Sequence, residues 1–126
     1  ILKKKDNIII MDAYNANPSS MQAAIENFEK LSASTKTVFL GDMFELGPEA
    51  KEEHQAIVSL LETTSIDLIL IIGENFYRTI TKSQRIKKYR TSEDLHQDWN
   101  PNLIGKANLI KGSRGMKLER ILDLID

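Results

Sequence analysis

Ile8-Ile9-Ile10-Met11-Asp12-Ala13-Tyr14-Asn15-Ala16-Asn17-Pro18-Ser19-Ser20 reads as a buried strand that delivers a polar loop to a helix, and the rest of the chain is organised around that loop. Ile8 to Met11 form a short continuous apolar run, as a strand covered on both faces requires. Asp12 stands at the carboxyl end of that run. In open α/β sheets the ligand crevice lies outside the carboxyl ends of the strands, so an acid and two carboxamides, Asn15 and Asn17, are well placed there for binding. Pro18 cannot extend a strand ladder but suits the first turn of a helix. Ser19 and Gln22 have the spacing of a capping box, and Met21, Ala24, Ile25, Phe28 and Leu31 follow at helical period. The pattern is strand, polar loop, capped helix. The same polar residues also serve turns and helix starts, so a structural reading of the loop stands beside the binding one.

The arrangement recurs along the chain. Thr37 to Leu40 read as a second strand, handing over to Gly41-Asp42-Met43-Phe44-Glu45-Leu46-Gly47-Pro48 and then to a helix with Ala50, His54, Ile57, Val58 and Leu61 on one face. Two carboxylates and an imidazole, Asp42, Glu45 and His54, fit a metal or acid/base reading. A histidine on an apolar helix face equally fits a packed, hydrogen-bonded core residue. Leu68 to Ile72 is apolar throughout, so it predicts a central strand, closed by Gly73. Asn75 is placed to cap a short helix containing Phe76, Tyr77 and Ile80. Ile86 to Tyr89 is a weaker strand within the basic stretch Lys82 to Arg90, read as a solvated connection or an edge strand. Thr91 or Ser92 caps a helix through Leu95 and Trp99 that Asn100-Pro101 ends, with His96 on its surface. Ala107 to Ile110 form the last strand. It leads into Lys111-Gly112-Ser113-Arg114-Gly115, which suits an anion or a merely solvated loop, and a terminal helix carries Leu118, Ile121, Leu122 and Ile125.

Composition sets the limits. A chain of 126 residues, 41% hydrophobic and 28% charged, is one soluble globular domain with a real core. A net charge of -1 gives no general nucleic-acid or membrane surface. The absence of cysteine excludes disulfides and thiolate metal sites and favours the cytoplasm. The longest apolar run is far too short to span a bilayer. No Gly-x-x-x-x-Gly-Lys-Ser/Thr phosphate loop and no Gly-x-Gly-x-x-Gly fingerprint occurs. Strands alternating with helices predict a Rossmann-like α/β three-layer sandwich, its sheet mostly parallel with helices on both faces. The start at Ile1, without Met, reads as a domain cut from a longer polypeptide.

Three motifs in order, Asp12-Ala-Tyr-Asn-Ala-Asn-Pro-Ser-Ser-Met21, Gly41-Asp-Met-Phe-Glu-Leu-Gly47 with His54 following, and Lys111-Gly-Ser-Arg-Gly-Met116 with Glu119, resemble the C-terminal domain of the Mur ligases. The match covers nearly the whole chain. The Asn-Ala-Asn-Pro form of the first loop is similar to the branch that adds D-alanyl-D-alanine to UDP-MurNAc-tripeptide. The resemblance implies a three-domain, monomeric, cytoplasmic ligase. Its N-terminal domain would hold the UDP-sugar, and its central domain the phosphate loop, ATP and Mg2+. The C-terminal domain closes over both and is inactive alone. By motif, Asp12 would accept from the ATP ribose hydroxyls, and Tyr14, Asn15 and Asn17 would border the nucleotide. Lys111, Ser113 and Arg114 would meet the dipeptide carboxylate or nearby phosphates, and Asp42 and Glu45 would orient the amine. Another Mur-type ligase, a stand-alone nucleotide- or sugar-binding module, and an interaction domain are the alternatives.

Overall fold

The computed structural model describes residues 1–4, 6–12 and 16–125. These build a six-stranded sheet in the order β1-β2-β6-β3-β4-β5. The strands are β1 (Leu2–Lys4), β2 (Asn7–Asp12), β3 (Lys36–Gly41), β4 (Leu68–Ile72), β5 (Ile86–Tyr89) and β6 (Ala107–Lys111). All neighbours pair in parallel except β1, which runs antiparallel to β2. The helices are α1 (Pro18–Lys30), α2 (Ala50–Glu62), α3 (Glu74–Tyr77), α4 (Ser92–Gln97) and α5 (Ile121–Leu124). Among the described residues no helix is long and apolar enough to cross a membrane.

Alternation along the central strands sorts the core into two layers. Val38, Leu40, Ile69, Ile71 and Leu109 pack under Met21, Ile25 and Phe28 of α1 and Ile57, Val58 and Leu61 of α2. Phe39, Leu70, Ile72 and Ile110 pack on the opposite face with Leu95 of α4, Leu118, and Ile121 of α5. The sheet is therefore covered on both sides, as the uninterrupted apolar runs require. The chain steps outward through β3, β4 and β5 with α1, α2 and α3 on one face, then returns along the other face to place β6 between β2 and β3. A right-handed crossover obliges that change of face. The connections after β2 and β3 thus turn one way and that after β6 the other, which opens a crevice at the carboxyl end of β6.

Several local expectations are corrected. The capping box of α1 is Asn17 with Ser20, not Ser19 with Gln22: Ser20 N donates to Asn17 Oδ1 at 2.9 Å and Asn17 N to Ser20 Oγ at 3.1 Å. Leu2–Lys4 is itself an edge strand, and Lys4 Nζ reaches Leu122 O at 2.8 Å to satisfy a carbonyl of α5. Helix α4 stops at Gln97, before Trp99, because Asn100 opens a separate turn by accepting from Asn102 N. The terminal helix is broken into tight turns before α5, since Lys117 takes the left-handed conformation at φ 54°. Leu118 beyond it is drawn under the crossing of Gly41 and Gly112, where a Cβ on either glycine would meet its Cδ1 at 2.9 or 2.7 Å.

Candidate functional site

Asp12 and Lys111 are register partners on adjacent parallel strands, so their side chains share a face. Lys111 Nζ lies 2.6 Å from Asp12 Oδ2, and Gly112 N donates to Asp12 O at 3.2 Å. The lysine is buried while the carboxylate is half exposed. A buried ammonium is tolerable only when paired, and here its partner is the carboxylate at the carboxyl end of the neighbouring strand. Lys111 therefore orients Asp12 rather than standing open to solvent.

Asp42 extends the β3 ladder by one residue, its N–H donating to Ile72 O at 3.0 Å. Its carboxylate is buried and accepts from Asn75 N at 2.8 Å and Phe76 N at 3.0 Å, so it caps the start of α3. The residue at the cap position is Gly73, not Asn75. Gly73 has φ 126°, and a Cβ there would lie 2.3 Å from the Asp42 carboxyl carbon. The Asp42 carbonyl accepts from Ser113 N at 3.2 Å, and Ser113 Oγ accepts from Phe44 N at 2.9 Å. Phe44, partly exposed, lies over Gly115, so the second and third loops are stitched together.

His54 is fully buried on α2. Its Nε2 accepts from Met43 N at 3.0 Å and its Nδ1 lies 2.6 Å from Ala50 O, which fixes a neutral ring donating through Nδ1. The ring stands edge-on to Phe76 with centroids 4.7 Å apart, and Nε2 is 3.8 Å from Asp42 Oδ1. Of the two readings of this residue, the geometry gives the packed core one. Glu45 is exposed with φ 65°, whereas Asp42 and His54 are buried. Among the described residues no three His, Cys, Asp or Glu side chains cluster to hold a metal. Replacing His54 by phenylalanine keeps an aromatic ring, somewhat larger, but leaves the buried Met43 N–H without an acceptor. It should cost about 2–3 kcal/mol in urea unfolding; an unchanged midpoint would show that the imidazole does not hold the loop.

Asn17 uses its side-chain oxygen in the α1 cap, and Tyr14 and Asn15 lie outside the described residues. Arg114 is exposed on the third loop. Beside these loops a cleft of about 590 Å3 opens between the ends of β3 to β5 and the segment after β6; its walls include Phe44, Glu74, Arg90, Met116, Lys117 and Arg120. The three cations do not stand out in the sequence, because Arg90 reads as the end of a solvated basic stretch and Lys117 and Arg120 read as ordinary surface charge. A hollow of about 520 Å3 beside α2 gathers Lys51, Gln55, Glu62 and Ile80, but no described residue of the three motif-bearing loops lines it.

The pattern described as "Mur ligase, glutamate ligase domain" matches residues 1–108. The chain belongs to the Mur ligase family. That match takes in the first two loops of the Mur ligase crevice and stops before the third, which more extensive likenesses include. The UDP-N-acetylmuramoyl-tripeptide--D-alanyl-D-alanine ligase of Bacillus subtilis is 38% identical over 94% of this chain, and the chain spans 28% of that relative's length. A MurF crystal structure from Acinetobacter baumannii superposes with a TM-score of 0.84 at 27% identity, over 98% of this chain and 28% of that one. MurF ligase from Thermotoga maritima in complex with ADP gives 0.76 at 26% identity, over 98% of this chain and 29% of that one.

Proposed function

We propose that this chain is the closing, C-terminal domain of a ligase that joins D-alanyl-D-alanine to UDP-MurNAc-tripeptide at the expense of ATP, in cytoplasmic synthesis of the peptidoglycan precursor. The observation that supports the reading is that described residues of the three Mur-like motifs meet at the carboxyl ends of neighbouring strands, Asp12 with Lys111 and both Asp42 and Phe44 with Ser113. The terminal carboxylate of the tripeptide attacks the γ-phosphorus of ATP and releases ADP. The dipeptide amine then attacks the acyl phosphate carbon and releases inorganic phosphate. The N-terminal and central domains of the same polypeptide supply the UDP-sugar site, the phosphate loop and Mg2+; the described residues of this chain offer no carboxylate cluster that fits the metal.

The part assigned to this chain is placement and charge. Asp12, steadied by Lys111, accepts from the ribose hydroxyls, with Tyr14, Asn15 and Asn17 along the nucleotide. Ser113 and Arg114 lie toward the phosphates and the dipeptide, and Glu45 beside the amine. Closure of the domain excludes water from the acyl phosphate. In the full-length enzyme, Asp12→Ala should raise the KM for ATP about tenfold or more, the loss of a hydrogen bond to a charged group, with less effect on the KM for D-alanyl-D-alanine. The reverse pattern would remove the ribose role.

A further inference from the structure

Arg90 follows β5 and is 57% exposed at its side chain, yet two neighbours hold it in place. Its Nε lies 3.2 Å from Glu74 Oε2, and its guanidinium carbon is 4.5 Å from the centroid of the Tyr77 ring. Both neighbours belong to α3, whose start is tied to the buried Asp42 carboxylate. Tyr89, the residue before it, is buried and hydrogen-bonded to Asp98, which fixes the other flank. An arginine stacked on a ring and paired through Nε is pre-organised, with its Nη edge suited to a second, bidentate carboxylate. Pre-organisation of this kind lowers the entropy cost of binding.

The cleft in front of it has mixed charge. Lys117 and Arg120 stand with Arg90, while Glu74 and Glu93 also line the walls. Glu74 is engaged by Arg78 and Arg90. Acidic groups among the cations disfavour a multiply charged phosphate and suit a small zwitterion carrying one carboxylate. Phe44 and Met116 add apolar surface for short side chains. We propose that Arg90 is a specificity residue of this cleft that binds the free carboxylate of a small peptide. On the ligase reading, on which this assignment rests, the peptide is D-alanyl-D-alanine.

The test compares D-alanyl-D-alanine with its C-terminal amide in the full-length ligase. The wild type should prefer the acid. Arg90→Ala should raise the KM for the acid about 10- to 100-fold, leave the KM for ATP unchanged, and bring the acid-to-amide preference in kcat/KM close to one. Arg90→Lys should recover part of the preference, since it restores charge without the fork. Retention of the wild-type preference by Arg90→Ala, or its collapse in Lys117→Ala or Arg120→Ala instead, overturns the assignment while leaving the ligase reading intact. A wild type that does not join the dipeptide overturns the ligase reading itself, before any variant is compared.

Discussion

Gly73→Ala is expected to lower the stability of the chain by about 4 kcal/mol, through backbone strain and lost charged hydrogen bonds together. At φ 126° and ψ 162°, Gly73 occupies a region that is nearly closed to residues with a Cβ, which by itself costs about 1–3 kcal/mol. The added methyl carbon would also fall 2.3 Å from Cγ, 2.4 Å from Oδ1 and 2.6 Å from Oδ2 of Asp42. That carboxylate is not a flexible tip that can swing away, because Asn75 N and Phe76 N both depend on it. Moving it strands two N–H groups in a buried setting. A loss of this size is a large fraction of the total stability of a small domain, and it should depress the melting temperature by about 10 °C or more. Gly47 supplies the control, for it too has positive φ, but a Cβ there would meet nothing within 4 Å. Its replacement by alanine should show the strain alone. Equal losses at the two positions would mean that the Asp42 contact adds nothing at Gly73.

What the sequence reveals and what it conceals divide along physical lines. The runs Ile8 to Met11, Leu68 to Ile72 and Ala107 to Ile110 announce their strands because burial on both faces leaves no polar alternation to confuse the reading. The three strand-end loops stand out because polar residues cluster where the apolar runs stop. Leu2–Lys4 is hidden, being an edge strand with two lysines among three residues. The partner of the α3 cap is hidden too. Asp42 lies 33 residues from Asn75, and only the pairing of β3 with β4 brings it to the helix. Sequence rules for caps look one to three residues away, so they select Asn75 and miss a carboxylate delivered by the neighbouring strand. Arg90 is missed for a related reason: its placement by Glu74 and Tyr77 depends on where α3 sits beside the end of β5. The apolar periodicity after Met116 is real, as Leu118, Ile121 and Ile125 are buried, but periodicity cannot register the left-handed Lys117 that breaks the helix.

Asp42→Ala should cost about 2–4 kcal/mol, and Asp42→Asn nearly as much, because the requirement is for two acceptors rather than for bulk. A carboxamide can satisfy one of Asn75 N and Phe76 N through its oxygen; its NH2 then faces the other N–H, donor against donor. Two residues that act through one contact should not be additive. With the Asp42 carboxylate removed, Gly73→Ala loses its steric component and keeps only its backbone strain, so the double variant should be more stable than the sum of the singles predicts by about 1–3 kcal/mol. Strict additivity would show that the close approach of Asp42 to Gly73 is not what forbids a side chain there. The same pair of variants distinguishes holding a loop from acting on substrate. If Asp42 oriented the dipeptide amine directly, Asp42→Asn in the full-length ligase would lower kcat with the unfolding midpoint unchanged. A carboxylate spent on the α3 cap gives the opposite: a lowered midpoint, with activity of the folded fraction recovering on cooling. On the proposed ligase reading, the buried carboxylate then acts through what it fixes, namely the start of α3 and, through Glu74 and Tyr77, the direction of Arg90.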